Sequence, residues 1–289
     1  MSEMQAIQWF PGHMTKTRRQ IESSLRLVDA VAELTDARVP ESSRNPELDR
    51  ILGSKPRMIL LNKCDMADPQ ATAAWIAYYQ KKGVSALAVD CKSGKGLGAI
   101  QPRLRALLKE QIAAWQRKGM VGRPLRMMVV GIPNVGKSSF INRMAGGSKA
   151  KVEDRPGVTR GNQWFTVSNG FELLDTPGVL WPKFEDPAVG EKLAFTGAVK
   201  DQIMDTEQLA GRLLEYLSAH VPSALEKRYR LGAAQGLAGH ELLEQVGRKR
   251  GMLISGGEID TERASVMVLD EFRSGKLGNI TLEAAPQPE

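Results

Sequence analysis

The stretch from Leu125 to Phe140, LRMMVVGIPNVGKSSF, constrains this chain more than any other part of it. An apolar, β-prone run, Met127 to Val130, leads into Gly131-Ile132-Pro133-Asn134-Val135-Gly136-Lys137-Ser138, which is G-x-x-x-x-G-K-[ST] between a strand and a helix-compatible continuation, Ser139 to Ala145. That arrangement makes a phosphate cradle. Gly131 and Gly136 let backbone N–H groups turn toward phosphates, Lys137 adds a point charge, and the Ser138 hydroxyl can ligate magnesium. The backbone from Asn134 to Ser139 is the expected nucleotide contact.

Upstream, three strand-then-helix units precede the cradle. The pattern predicts strands over Val28 to Leu34, Arg57 to Leu61 and Val84 to Val89. It also predicts a helix near Ala71 to Lys82, and one long basic helix from Leu97 to about Lys118. Such alternation points to a mostly parallel α/β sheet with crossover helices on both faces. The second strand runs into Asn62-Lys63-Cys64-Asp65. The Asp65 carboxylate can accept from the ring N–H and exocyclic amine of guanine, an edge adenine does not present. Asn62 can bridge base and phosphate loop, and Lys63 can cover the flat face of the base. The third strand ends in Asp90-Cys91-Lys92-Ser93-Gly94, a candidate base-contacting loop. Both cysteines, Cys64 and Cys91, lie inside these motifs, which argues against a disulfide scaffold and for a reducing compartment.

Downstream, strands are expected at Gln163 to Ser168 and Phe171 to Leu174, followed by Asp175-Thr176-Pro177-Gly178. An Asp at a strand end before a tight turn suits a carboxylate that holds magnesium, with the Gly178 N–H facing the terminal phosphate. Thr159, between the cradle and this turn, is the candidate switch threonine whose hydroxyl completes the metal shell when the third phosphate is present.

The motif order is guanine motif, base loop, phosphate loop, switch threonine, DTPG, whereas Ras-type GTPases begin with the phosphate loop. Moving one block past the other interconverts the two, so the sheet is expected to be circularly permuted. The cut falls just after DTPG, so the N-terminal segment and the tail beyond Val179 should emerge beside the second switch. Val179 stands where Ras-type enzymes carry a water-orienting Gln and offers no hydrogen-bonding group. His13, on the Pro11-Gly12 turn of WFPGHMTKTRRQIE, is the nearest polar candidate to position or deprotonate water, and Thr15 is a candidate helix cap. Residues 190 to 285 carry helical periodicity, as in Glu207 to Tyr216 and His240 to Lys249. The expected division is therefore a permuted GTPase domain over 1–185, an α-helical domain over 186–285 and a short tail, 286–289.

Charge is distributed unevenly. The net +7 divides into +10 over residues 1 to 189 and −3 over 190 to 289. Between Arg103 and Arg126 seven cations face only Glu110, and Lys227-Arg228-Tyr229-Arg230 and Arg248-Lys249-Arg250 form further clusters. Each fits a phosphate-rich partner such as RNA; a solvated helix face fits the first segment equally well and is the favoured reading of the two C-terminal clusters. A hydrophobic content of 42% with 25% charged residues indicates neither a disordered nor a membrane class, and no run approaches the ~18 apolar residues of a spanning helix. The N-terminus lacks the pattern of a secretory signal, so a cytoplasmic location is expected. No repeat or coiled-coil seam argues for an oligomer, and a monomer is expected.

The permuted order, the opening WFPGHM, the DAR-x-P segment beginning at Asp36, GIPNVGKSS and DTPGVLWP together resemble the bacterial ribosome biogenesis GTPase A family, also called YlqF. The resemblance covers nearly the whole chain. It implies a potassium-stimulated GTPase that binds a large ribosomal subunit precursor as its GTP form, is activated by that particle, and leaves after hydrolysis. It also implies that His13 occupies the position of the family's catalytic histidine and that Asn134 coordinates potassium. The helical C-terminal module would contact RNA. The family's Ser-Ala-Lys base loop appears here as Asp90-Cys91-Lys92, where Cys91 can serve in place of Ala because the loop mainly offers a backbone N–H. A GTP-gated switch on a non-ribosomal RNA is the alternative reading.

Overall fold

The computed structural model describes residues 11–146, 152–153, 163–167, 170–176, 186–199, 205–232 and 234–287; the side chains of 11–17 and 152–153 are outside that description. Seven strands form one sheet: β1 Ala30–Asp36, β2 Arg57–Asn62, β3 Ser85–Ala88, β4 Leu125–Gly131, β5 Val152–Glu153, β6 Gln163–Val167 and β7 Phe171–Asp175. Their spatial order is β3-β2-β1-β4-β7-β6-β5. Neighbours from β3 to β7 are parallel, and β6 and β5 are added antiparallel. This is the permuted P-loop arrangement: the cradle strand β4 lies in the middle, and β1, β2 and β3 lie to one side of it although they precede it in the chain.

The strand sequences read as near-continuous apolar runs because both faces are covered. On one face Ala30, Ala32 and Leu34 of β1 join Met127 and Val129 of β4 beneath α4 (Ile100–Leu107) and α6 (Lys137–Met144). The alternate residues, Val31, Met128, Val130 and Leu174, meet Ile21 of α1 (Pro11–Ser24) and Leu48 and Leu52 of α2 (Pro46–Leu52). Ile59 and Leu61 of β2 meet Trp75 and Tyr79 of α3 (Pro69–Lys81). Helix starts follow a repeated device, an Asx side chain capping the first turn before a proline. Asn45 accepts from the Glu47 N–H at 3.0 Å and Asp68 from the Ala71 N–H at 2.7 Å.

Two local expectations are corrected. Thr15 is not a cap, because it lies within α1, after a full helical turn from Pro11. The basic segment is not one helix: a 3-10 turn at Leu97–Ala99 leads into α4, and α5 (Lys109–Arg117) begins after Leu108, whose φ is −101° and ψ 14°. Ile100, Leu104, Leu108 and Ile112 are spaced by four, so their stripe drifts about 40° per step around a straight helix. The bend keeps Ile112 and Trp115 packed on the same core.

A second core is built by α7 (Pro187–Phe195), α8 (Thr206–His220), α9 (Pro222–Tyr229), α10 (Gly239–Lys249) and α11 (Thr261–Arg273). Helix α7 belongs to both cores, since Leu193 faces the sheet's cluster and Ala194 and Phe195 the helical one. After α11 the chain returns as an extended strap, residues 279–285, against the loops that follow β1 and β2 and against α3. Ile280 N–H bonds to the Met66 carbonyl at 3.0 Å and Leu282 N–H to that of Arg38 at 2.7 Å. Trp75 donates to the Glu283 carbonyl at 2.9 Å.

Candidate active site

The parallel strands deliver their C-terminal ends to one edge of the sheet: Asp36 from β1, Asn62 from β2, Gly131 from β4 and Asp175 from β7. Strand order, not strand direction, reverses between the parallel neighbours β1 and β4, so the crevice between them is where an open α/β sheet receives a ligand. Both the guanine motif and the phosphate loop open there.

Asn62 is buried and joins three expected site segments. Its Nδ2 donates to the Val135 carbonyl at 2.8 Å and its Oδ1 accepts from the Cys91 N–H at 3.1 Å. The phosphate loop and base loop are thus tied to one side chain. Gly136, at φ +104°, follows from this packing: a Cβ there would lie 2.4 Å from Asn62 Nδ2. Lys63 takes φ +60° and reaches across to the cradle, with Nζ 2.9 Å from Asp36 Oδ2 and 3.2 Å from the Asn134 carbonyl. Asp65 is exposed at the tip of the loop.

The base loop is held by Asp90, whose carboxylate accepts from the Lys92 N–H at 2.8 Å and the Ser93 N–H at 3.1 Å. Arg143 of α6 donates to the Ser93 carbonyl at 2.6 Å. Burial pushes the Cys91 thiol up to about 12, assisted by the Asp90 charge, and burial also raises Cys64. Both are free thiols, protonated at neutral pH.

In the cradle, Lys137 Nζ donates to the Gly131 and Ile132 carbonyls at 2.9 and 2.8 Å. Burial lowers it to about 8, partly opposed by Asp175. Burial raises the Asp175 carboxyl, partly opposed by Lys137. The pair therefore waits in a half-desolvated pocket where a polyphosphate and a hard cation would restore the missing charge. Ser138 and Ser139 are exposed on the first turn of α6. Asn134, at φ +58°, donates through Nδ2 to the Gly197 carbonyl at 2.9 Å. The cradle is thereby bonded to the segment that follows α7. Thr159, Gly178 and Val179 lie outside the described residues, as does the side chain of His13.

One group carries more than its sequence suggests. The Asp36–Arg38 pair, at the end of β1, is buried and bidentate: Arg38 Nε and Nη2 lie 2.9 and 2.7 Å from the two Asp36 oxygens. Burial would raise the Asp36 carboxyl, but Arg38 and Lys63 hold it well below the carboxylate range. Arg38 Nη1 also donates to the Phe272 and Arg273 carbonyls at 3.2 and 3.4 Å, at the end of α11. Arg273 in turn donates to the Ala194 and Phe195 carbonyls at 2.8 and 3.2 Å. The DAR segment stands out in the sequence, but nothing local in it identifies α11 as its partner.

The basic clusters divide. Arg123 pairs with Asp29 and lies over Trp115, and Arg126 pairs with Glu172, so both are spent internally. Arg103, Arg105, Lys109, Arg117 and Lys118 are exposed. Arg228 and Arg250 both pair with Glu271, leaving Lys227, Arg230, Arg248 and Lys249 outward.

Residues 126–220 match a family model described as 50S ribosome-binding GTPase. The chain is 48% identical to ribosome biogenesis GTPase A of Priestia megaterium, covering 98% of each protein. It is 34% identical to that of Thermotoga maritima, covering 95% of this chain and 93% of the relative. Among solved structures, a GDP-bound YlqF is 30% identical with a TM-score of 0.63, covering 92% of this chain and 99% of that one. The GNP-bound YlqF from T. maritima is 28% identical with a TM-score of 0.64, covering 94% and 100%. Motifs, sheet order and full-length similarity converge: the chain belongs to the ribosome biogenesis GTPase A family, GTPases involved in ribosome biogenesis.

Proposed function

We propose that this GTPase is a nucleotide-gated assembly factor for the large ribosomal subunit, binding the subunit precursor in its GTP form, hydrolysing GTP in response to that particle, and leaving as the GDP form. The observation that carries this reading is the bond from Asn134 in the phosphate loop to Gly197, where the chain passes toward the helical module. Rearrangement of the cradle around a third phosphate acts directly on that junction, a hinge-type coupling. The family model's description, matched over the cradle and α8, supports the choice of particle. The exposed cations of α4 and α5 supply charge for an RNA surface.

In this mechanism Asp65 takes the guanine edge, Asn62 fixes the two loops around it, and Lys137 meets the outer phosphates. Ser138 and Asp175 would hold magnesium, with Thr159 joining when the third phosphate is bound. Hard oxygen donors fit that ion. Nucleotide and water oxygens would complete the shell. Held by these residues, magnesium would supply charge neutralisation for the phosphate oxygens. The amide oxygen of Asn134 is the atom a potassium ion would take, its NH2 group being held by Gly197. Water attacks the γ-phosphorus, the bond to the β-phosphate oxygen breaks, and His13 orients the water or accepts its proton. Ile21 of the helix that carries His13 packs with Leu174, one residue before Asp175, which supports bringing residue 13 to the second switch.

The test is GTP turnover in potassium with and without purified large-subunit particles, mature and immature, for wild type and His13→Ala. Particle stimulation that the variant loses, at unchanged nucleotide affinity, is expected. Absence of stimulation by both particles, or stimulation by unrelated RNA alone, would overturn the ribosomal reading. Unchanged stimulated turnover in the variant would remove His13 from the mechanism.

A further inference from the structure

The loop that carries Asp65 is held from two directions. Its first half is braced by its own domain: the Met66 N–H bonds to the Lys63 carbonyl at 2.9 Å and the Cys64 N–H to that of Val89 at 3.2 Å. The second half is met by the far end of the chain. Asn279 Nδ2 donates to the Asp65 carbonyl at 2.9 Å and to the Ala67 carbonyl at 3.2 Å. The next two residues continue the ladder, with Ile280 N–H on the Met66 carbonyl at 3.0 Å and Thr281 Oγ1 accepting from the Asp68 N–H at 3.0 Å. Four consecutive backbone positions, 65 to 68, are therefore set by residues 279–281.

The strap is itself fixed on its far side. Leu282 N–H reaches the Arg38 carbonyl, and Tyr216 of α8 donates to the Leu282 carbonyl at 2.9 Å. The Glu283 carboxylate receives the Glu41 N–H at 2.8 Å, the Ser42 hydroxyl, and Lys192 Nζ at 3.3 Å. A strap this firmly anchored transmits position to whatever it holds. Asn279 is exposed, so its fork onto two carbonyls is not a by-product of core packing.

We infer that Asn279 is a positioning residue for guanine recognition: by holding the Asp65 and Ala67 carbonyls it sets where the Asp65 carboxylate meets the base. The inference rests on the reading that Asp65 takes the guanine edge. A carboxylate accepting two hydrogen bonds from one ring edge tolerates little displacement, and any displacement that lengthens the bond from the exocyclic amine costs GDP an interaction that inosine diphosphate never makes. Inosine diphosphate, which lacks that amine but keeps the ring N–H, therefore separates misplacement of Asp65 from general loss of binding.

The experiment measures GDP and inosine diphosphate affinity for wild type, Asn279→Ala, Asn279→Asp and Asp65→Ala, each checked by thermal melting. Asn279→Asp keeps the side chain's size and removes the donor, so it reads the same bond if Asn279→Ala does not fold. Expected is a fall of about three- to tenfold in GDP affinity for the Asn279 variants with inosine diphosphate nearly unchanged, the scale of one hydrogen bond. The preference for GDP should shrink by that factor, and disappear in Asp65→Ala. Equal losses for both nucleotides, or an unchanged preference in folded Asn279 variants while Asp65→Ala loses it, would overturn the positioning role alone. A preference that survives Asp65→Ala would overturn the guanine assignment beneath it.

Discussion

At the scale of single residues, the site stores its chemistry as unmet charge. Lys137 is held among carbonyls with its pKa lowered to about 8 by burial, so above that pH the unliganded protein loses this proton. The sign follows from linkage: a lysine with a depressed pKa is favoured neutral in the fold, and an anionic ligand drives it back to the charged form. GDP binding should therefore take up about three-quarters of a proton at pH 8.5 and about a tenth at pH 7, read by calorimetry in buffers of different ionisation enthalpy. Uptake that does not change between these pH values would show that Lys137 is fully charged before binding. The P-loop pattern made this lysine obvious; its desolvation was not, because burial is a property of the neighbours.

At the scale of elements, helix contacts decide whether the second core holds. Helices α8 and α10 touch through glycine: a Cβ on Gly239 would lie 2.6 Å from the Gly211 carbonyl carbon, a backbone atom with no freedom to turn aside. Gly239→Ala should therefore push the helices apart and cost about 2 kcal/mol in a denaturant melt. GDP affinity should stay within about twofold, a factor worth under ~0.5 kcal/mol, since no nucleotide loop is touched. A variant as stable as wild type would mean the crossing can widen freely. Helical periodicity revealed α8 and α10, but a glycine inside such a pattern reads as a weakness until its neighbour across the crossing is known. The bend at Leu108 is similar: the four-residue spacing was visible, and the sheet beneath it turned drift into a break.

At the scale of the molecule, a ring of bonds joins the two cores: Lys63 to Asp36, Asp36 to Arg38, Arg38 to the end of α11, Arg273 to α7, and Gly197 back to Asn134. Arg38→Ala should cost about 3 kcal/mol, because it leaves the buried Asp36 carboxylate with Lys63 as its remaining charged partner and also releases α11. Asp36 also sets a pH signature. Its folded pKa lies below its unfolded one, so the stability it confers is present above the ordinary carboxylate range and lost as pH falls through and below it. Arg38→Ala should flatten that acid dependence between about pH 5 and 2. Melts across that range check both; a full acid dependence in the variant would assign it elsewhere, for example to Asp49, which its arginine neighbours also hold low.

Sequence alone determined where the local motifs lie, the G-x-x-x-x-G-K-S loop from Gly131 to Ser138, the NKxD stretch from Asn62 to Asp65 and Asp175 at a strand end, and, through their order, the permutation of the sheet. These are legible because each needs particular residue types at fixed spacing on one strand end. Tertiary structure alone decided what holds them. Asn279 meets Asp65 across 214 residues and Arg38 meets Phe272 across 234, and no spacing rule relates such positions. They meet because the parallel strands end on one edge and the helical module returns its C-terminal strap to that edge. Backbone carbonyls and a buried carboxylate there would otherwise face the cost of going unpaired.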